Sequence, residues 1–227
     1  MSVVPNLLVL VRHGQSARNA AKTGHVFFPD DAARAPFVGT ADQDAALTDK
    51  GWAEARAVGV GLKERFGTFD VIFHSGYRRT RDTTSAILEA WPDDERAAIE
   101  VREHMLLRER DTGYTANMTA AEVPSVFPWL QEYWDATGPF ISRPPGGESM
   151  ADVAQRVQLF LNSHTEALAT KRVLIVTHLG TLRMFRFTLE HWTQDETVQS
   201  IAAGGFKNGH VTAYQADSFT GRLKPLE

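Results

Sequence analysis

Three short runs of apolar residues, each broken off by a polar turn, constrain this chain more than any other feature of its 227 residues. Leu7-Leu8-Val9-Leu10-Val11 runs into Arg12-His13-Gly14, Asp70-Val71-Ile72-Phe73 into His74-Ser75-Gly76, and Arg172-Val173-Leu174-Ile175-Val176-Thr177 into His178-Leu179-Gly180. Continuous runs rich in β-branched residues suit strands buried on both faces, the kind found in parallel sheets covered by helices on either side. The intervening stretches supply the helices. Thr48 suits the N-cap of a helix from about Asp49 to Phe66, and a second helix spans about Tyr77 to Trp91. The third runs from Met150 to Ala169, where Met150, Val153, Val157, Phe160, His164 and Leu168 recur at spacings of three and four, with Ser149 or Glu148 at its start. Strands alternating with helices predict an α/β sandwich, whose ligand crevice lies beyond the carboxyl ends of the strands. A last pair of strands is expected within Gln199 to Tyr214.

This length suits one α/β domain covering residues 1–227. Two irregular stretches rich in Gly, Pro and aromatic residues, about Thr23 to Ala46 and Arg110 to Gly147, read as insertions over a site. His25, Phe27, Phe28, Arg34 and Phe37 in the first, with Trp129, Tyr133, Trp134, Phe140 and Arg143 in the second, make an aromatic, weakly basic cap in which at least half anchor the insertions to the core. The net charge of −4 arises from 24 basic and 28 acidic residues without long single-sign blocks, which argues against nucleic acid or an anionic membrane as partner. The absence of cysteine excludes disulfides, thiol nucleophiles and thiolate metal sites. No apolar run approaches the ~18 residues of a membrane span, and Met1-Ser2-Val3-Val4-Pro5-Asn6 lacks the basic start of a signal peptide. The expectation is a soluble, cytoplasmic protein of unassigned oligomeric state.

The strand ends carry the chemistry. Arg12-His13-Gly14-Gln15-Ser16 with Asn19 suits a phosphate, because a neutral imidazole can attack phosphorus while a guanidinium offers a planar fork of donors to the equatorial oxygens. In isolation the tripeptide is equally compatible with a surface turn. Ser75 opens a segment, Gly76-Tyr77-Arg78-Arg79-Thr80-Arg81, that enters a helix start, where backbone donors favour an anion. His178 repeats the strand-then-histidine arrangement, so adjacent central strands would bring the two imidazoles together. Two histidines also suit a metal, but no HxH, HxxxH or His-carboxylate cluster offers a third ligand, and no metal or cofactor is expected. Glu109 and Asp111 are rival proton donors on spacing alone.

Together these motifs resemble the histidine phosphatase superfamily, the phosphoglycerate mutase-like family. Arg12, His13, Gly14, Ser16 and Asn19 are similar to its Arg-His-Gly-x-Ser-x-x-Asn, and Ser75, Arg79 and Thr83 to its Ser-x-x-x-Arg-x-x-x-Thr. Leu107, Glu109 and Gly113 resemble its Leu-x-Glu-x-x-x-Gly, Pro145-Gly146-Gly147-Glu148-Ser149 its turn before a long helix, and Val176-Thr177-His178 with Arg183 its last motif. The resemblance implies a three-layer α/β/α sandwich with a mostly parallel central sheet. It implies His13 as phosphoryl acceptor, Arg12, Arg79 and His178 around the transferring group, Glu109 as the acid, and Asn19, Gln15, Ser16 and the backbone at Leu179 on the substrate side. A phosphomonoesterase acting on a small phosphorylated substrate is the reading it favours; the alternatives are a phosphomutase using the same intermediate and an inactive phospho-ligand-binding module. Leu179 stands where the family usually has glycine, Asp82 replaces a common Gln, and residues 20 to 38 form a longer loop.

Overall fold

The computed structural model describes residues 4–23, 26–217 and 219–226. His25 and Met1-Ser2-Val3, on which two of the expectations above partly rest, lie outside the described residues. In chain order the elements are β1 (Leu7–Arg12), α1 (Ala17–Lys22), α2 (Asp31–Arg34), α3 (Asp49–Phe66), β2 (Val71–His74), α4 (Arg78–Leu88), α5 (Asp93–Ala98), β3 (Glu100–Glu103), α6 (Glu122–Val126), α7 (Leu130–Thr137), α8 (Met150–Leu168), β4 (Arg172–Thr177), α9 (Leu179–Leu189), α10 (Gln194–Ala202), β5 (Val211–Ala216) and β6 (Leu223–Leu226).

The strands form one sheet in the order β3-β2-β4-β1-β5-β6. β3, β2, β4 and β1 run parallel, while β5 and β6 are antiparallel additions at one edge. Alternate side chains of the central strands enter two separate cores. Leu8, Leu10, Phe73 and Ile175 pack with Val153, Val157 and Phe160 of α8 and Leu182 and Phe185 of α9. Val9, Val11, Ile72 and Val176 pack on the opposite face with Leu62 of α3 and Ile87 of α4. The result is a three-layer α/β/α sandwich, in which each such side chain contributes about 1.5–3 kcal/mol relative to exposure. Among the described residues no helix is long and apolar enough to cross a membrane.

The register sets the site. Arg12 lies opposite Thr177, and His74 opposite Val176, so the ends of the three apolar strands are level. His13, Ser75 and His178 therefore emerge together at one edge of the sheet. The turn after β1 is held tightly against α3: a Cβ on Gly14 would lie 2.3 Å from the Gly51 carbonyl oxygen, and one on Gly51 would lie 2.1 Å from that of Gln15. Both contacts are to backbone, which cannot rotate away. Gly51→Ala is accordingly expected to cost about 1–3 kcal/mol through overpacking, seen as a lower midpoint in urea unfolding, and to depress activity by displacing the His13 turn; an unchanged midpoint would refute this close packing.

Several boundaries differ from the sequence reading. α4 ends at Leu88, and Trp91 leaves the helix to pack edge-on against Phe69 at 6.1 Å; Pro92 follows, and the residue before proline disfavours helical backbone. Gln199 to Ala202 belongs to α10, not to a strand. Thr193 caps that helix in a reciprocal box with Glu196, and Val198 and Ile201 pack on the core. The final antiparallel pair is β5 with β6. β3 went unread because its four residues, Glu-Val-Arg-Glu, are all exposed and held by pairing with β2.

The two stretches read as irregular contain short helices, α2 in the first and α6 and α7 in the second. They are tied to each other. Phe28, fully buried, donates its N–H to Met118 and accepts from Ala120, both at 3.1 Å. Arg34 pairs with Glu122 at 2.6 Å, Arg18 donates to Asn117 at 2.6 Å, and Lys22 Nζ caps the carbonyls of Val26 and Ala116.

Candidate active site

His13 is 2% exposed. Its Nδ1 lies 2.7 Å from the Gly14 carbonyl oxygen, which can only accept, so the proton sits on Nδ1 and the Nε2 lone pair is left free. Burial, reinforced by the Arg79 and Arg12 cations, lowers its pKa well below the ordinary histidine range and keeps the ring neutral.

His178 is completely buried, with its ring centroid 5.1 Å from that of His13. Arg79 Nε donates to its Nδ1 at 3.3 Å, so the proton of the neutral ring is on Nε2 and is donated to Ser75 Oγ at 2.7 Å. Ser75 in turn donates to Thr80 Oγ1 at 2.9 Å, which donates to the Tyr77 carbonyl at 2.8 Å. This relay defines the tautomer of His178, whose pKa is also pushed well down by burial and then by Arg79.

Of the basic residues after β2, the helix turns Arg79 inward, 4% exposed, and leaves Arg78 and Arg81 at the surface. Arg79 stacks over the Tyr77 ring at 4.8 Å, and its terminal nitrogens donate to the carbonyl oxygen and carboxylate of Asp42 at 2.6 and 2.9 Å. Arg12 donates to the Phe206 carbonyl, while its Nε is buried without a partner among the described residues. Glu109 Oε1 accepts from the backbone N–H of Arg110 at 2.8 Å and of Gly180 at 3.1 Å, which seats the carboxylate at the start of α9 where the helix dipole favours negative charge. Asp111 lines the same cleft, but its carboxylate is turned back to accept from Gly113 N–H at 2.7 Å.

The remaining motif residues divide. Ser16 is buried and spent on capping α1, in a reciprocal box with Asn19. Gln15 accepts from Thr48 Oγ1 at 3.0 Å and borders the cleft, as do Asn19 and Leu179. Of the cap residues, Phe27 and Trp134 reach the cleft, whereas Phe28 and Phe140 are buried anchors. Phe37 stacks on Phe28, Trp129 and Tyr133 pack on each other, and Arg143 is held by Asp152 at 2.6 and 2.5 Å. Asp42, Arg18 and Asn208 border the cleft without having been singled out by any motif. Asp42 and Asn208 come from connecting segments and Arg18 from α1, and nothing local marks them.

The cleft measures about 1190 Å³. Its wall carries Arg12, Arg18, Lys22, Arg79, Arg110 and Arg183 against Asp42, Glu109, Asp111 and Asp135, a formal excess of two positive charges. Burial lowers Lys22 to about 8 and Arg183 to about 10. A buried neutral imidazole with a free lone pair, a second imidazole beside it and converging guanidinium groups can accept and stabilise an in-line phosphoryl group.

A model of the histidine phosphatase superfamily (branch 1) matches residues 8–224. The 2,3-bisphosphoglycerate-dependent phosphoglycerate mutase of Rhizobium etli is 35% identical over 200 residues, covering 84% of this chain and 83% of that protein. The mutase of the same name from Methylobacterium radiotolerans is 35% identical over 190 residues, covering 83% and 81%. Among solved structures, a mycobacterial glucosyl-3-phosphoglycerate phosphatase superposes with a TM-score of 0.70 at 23% identity, over 97% of this chain and 96% of that one. An alpha-ribazole phosphatase from Shigella flexneri gives 0.72 at 20%, over 97% and 95%. Likeness at these identities is likeness of fold.

Proposed function

Because the chain belongs to the histidine phosphatase superfamily, we propose that it hydrolyses a small phosphate monoester through a covalent phosphohistidine on His13. The observation that carries this reading is the level pair of strand ends, which sets His13 and His178 with ring centroids 5.1 Å apart, beside Arg79. His13 Nε2 attacks phosphorus as the bond to the leaving oxygen breaks in line. Arg12 and Arg79 stabilise charge on the equatorial oxygens, and His178, beside His13, holds Arg79 in place by accepting from its Nε. Glu109 donates a proton to the leaving alkoxide, then takes one from the water that attacks the phosphoramidate and frees His13. The segments 23–46 and 110–147 cap the cleft. Asn19, Gln15 and the backbone at Leu179 stand on the substrate side, and Ser16 supports Asn19 from the cap of α1.

The charge of the cleft favours hydrolysis of a singly phosphorylated substrate. An excess of two positive charges matches one phosphate dianion, while a phosphoglycerate or a bisphosphate would bring further negative charge to a wall that already holds Asp111 and Asp135. The interval between Glu109 and Gly147 contains no lysine, and Arg143, one of its two non-adjacent arginines, is neutralised by Asp152. A second reading, phosphomutase, is favoured by the sequence relatives, which carry that name at 35% identity. Phosphate release from the best monoester found is expected to outrun conversion of 3-phosphoglycerate to 2-phosphoglycerate measured with 2,3-bisphosphoglycerate present. Isomerisation as the faster reaction would make the chain a mutase.

A further inference from the structure

The loop between α10 and β5 grips the nucleophile's strand end. The Arg12 N–H donates to the His210 carbonyl at 2.9 Å, the Gly209 N–H to the Arg12 carbonyl at 3.1 Å, and Asn208 Nδ2 to the His13 carbonyl at 2.9 Å. The same Nδ2 also reaches Asn19 Oδ1 at 3.3 Å. Each amide's orientation is set by groups able to act in one way only. The His13 carbonyl can only accept, so the atom of Asn208 facing it is the nitrogen. The Ser16 backbone N–H can only donate, and it points at Asn19 from 3.2 Å, so the atom of Asn19 facing it is the oxygen. Asn19 Oδ1 thus gathers donors from Ser16 N, Ser16 Oγ and Asn208 Nδ2. Turned over, the amide would set its NH2 group against the N–H of Ser16 and the NH2 of Asn208. Asn19 borders the cleft, and its Nδ2 has no partner among the described residues.

We propose that Asn208 is a positioning residue: it holds the Asn19 amide so that its two N–H donors face the transferring phosphoryl group, and it fixes the His13 backbone with the same nitrogen. This rests on the phosphohistidine reading, because the cleft at His13 is taken as the anion site. One side chain thereby couples the nucleophile to a donor supplied by a different element, α1.

The test is a double-mutant cycle on the binding of inorganic phosphate, measured by calorimetry. Hydrogen bonds to a charged group are worth enough for Asn19→Ala and Asn208→Ala each to weaken binding about tenfold. The double variant is expected to bind no more weakly than Asn19→Ala, because Asn208 acts through Asn19. Independent, multiplicative losses would overturn the proposal. Should the alanine variant at 208 not fold, Asn208→Asp gives a second reading: an ionised carboxylate cannot donate to either oxygen, whereas a protonated one can. Its phosphate affinity relative to the unmodified protein should recover in part as the pH falls from about 6 to about 4, into the range where aspartate takes up its proton. Absence of that recovery would also overturn the coupling. Because no turnover is needed, the cycle reads the same whether the enzyme hydrolyses or transfers. Failure of the unmodified, folded protein to bind phosphate at all would instead overturn the anion-site reading.

Discussion

Replacing His13 by alanine or asparagine is expected to abolish covalent labelling and to reduce turnover by about four orders of magnitude or more, since removing a nucleophile disables the whole catalytic unit. Brief incubation with a labelled monoester followed by denaturation should leave acid-labile, base-stable label on the unmodified protein, the stability of a phosphoramidate. His13→Asn is the better probe of the two, because it occupies part of the buried volume beneath the Gly14 turn. Burial and the flanking Arg79 and Arg12 lower the His13 pKa, so the attacking ring stays neutral below the ordinary titration of histidine near ~6.5. The acid limb of kcat/KM for the free enzyme should therefore lie below that value. Label that persists in both variants, or that survives mild acid, would remove His13 as the nucleophile.

Glu109→Gln is expected to slow hydrolysis of alkyl phosphates by roughly 10²- to 10⁴-fold and that of aryl phosphates with good leaving groups far less. The substitution is nearly isosteric. A glutamine carbonyl still accepts from the N–H groups of Gly180 and Arg110, so the start of α9 and the loop beside it keep their contacts. What is lost is the proton, and an alkoxide needs it far more than a stabilised phenolate does. Equal losses on both substrates would reduce Glu109 to a support for α9. Asp111, which borders the same cleft, would then be the acid to test.

The parts of the fold legible beforehand are those encoded locally. Continuous apolar runs marked β1, β2 and β4 because a strand covered on both faces must be apolar throughout. Thr48 marked one helix start, and Ser149 or Glu148 another; the side chains of Thr48 and Ser149 accept the first free N–H groups, from Gly51 and Asp152. The neighbourhood of His13, Ser75 and His178 followed from three apolar strands that each end in a polar turn, since such ends share one side of an α/β sheet. What stayed hidden depends on pairing or chain closure. β3 has no apolar face and exists because β2 offers it an edge. Asp42 meets Arg79 only through the path of the first insertion, and Asn208 reaches His13 from the far end of the chain. No spacing rule connects such residues, so their part in the site is visible only in three dimensions. The choice of Arg79 over Arg78 came from resemblance and coincides with the geometry, since the former is buried and the latter pairs with Asp82 at the surface.

The ties between the two segments that follow α1 and Glu109 make them a single cooperative unit. Segments that were separately hinged would each fray on their own, with a cost set by their own few contacts. Here, freeing residues 26–37 breaks the backbone bonds of Phe28 to Met118 and Ala120 and the pairing of Arg34 with Glu122, contacts on which the second segment equally depends. Residues 26–37 and 118–122 are therefore expected to loosen together, in one equilibrium instead of two, and their amide hydrogens to exchange at a common rate.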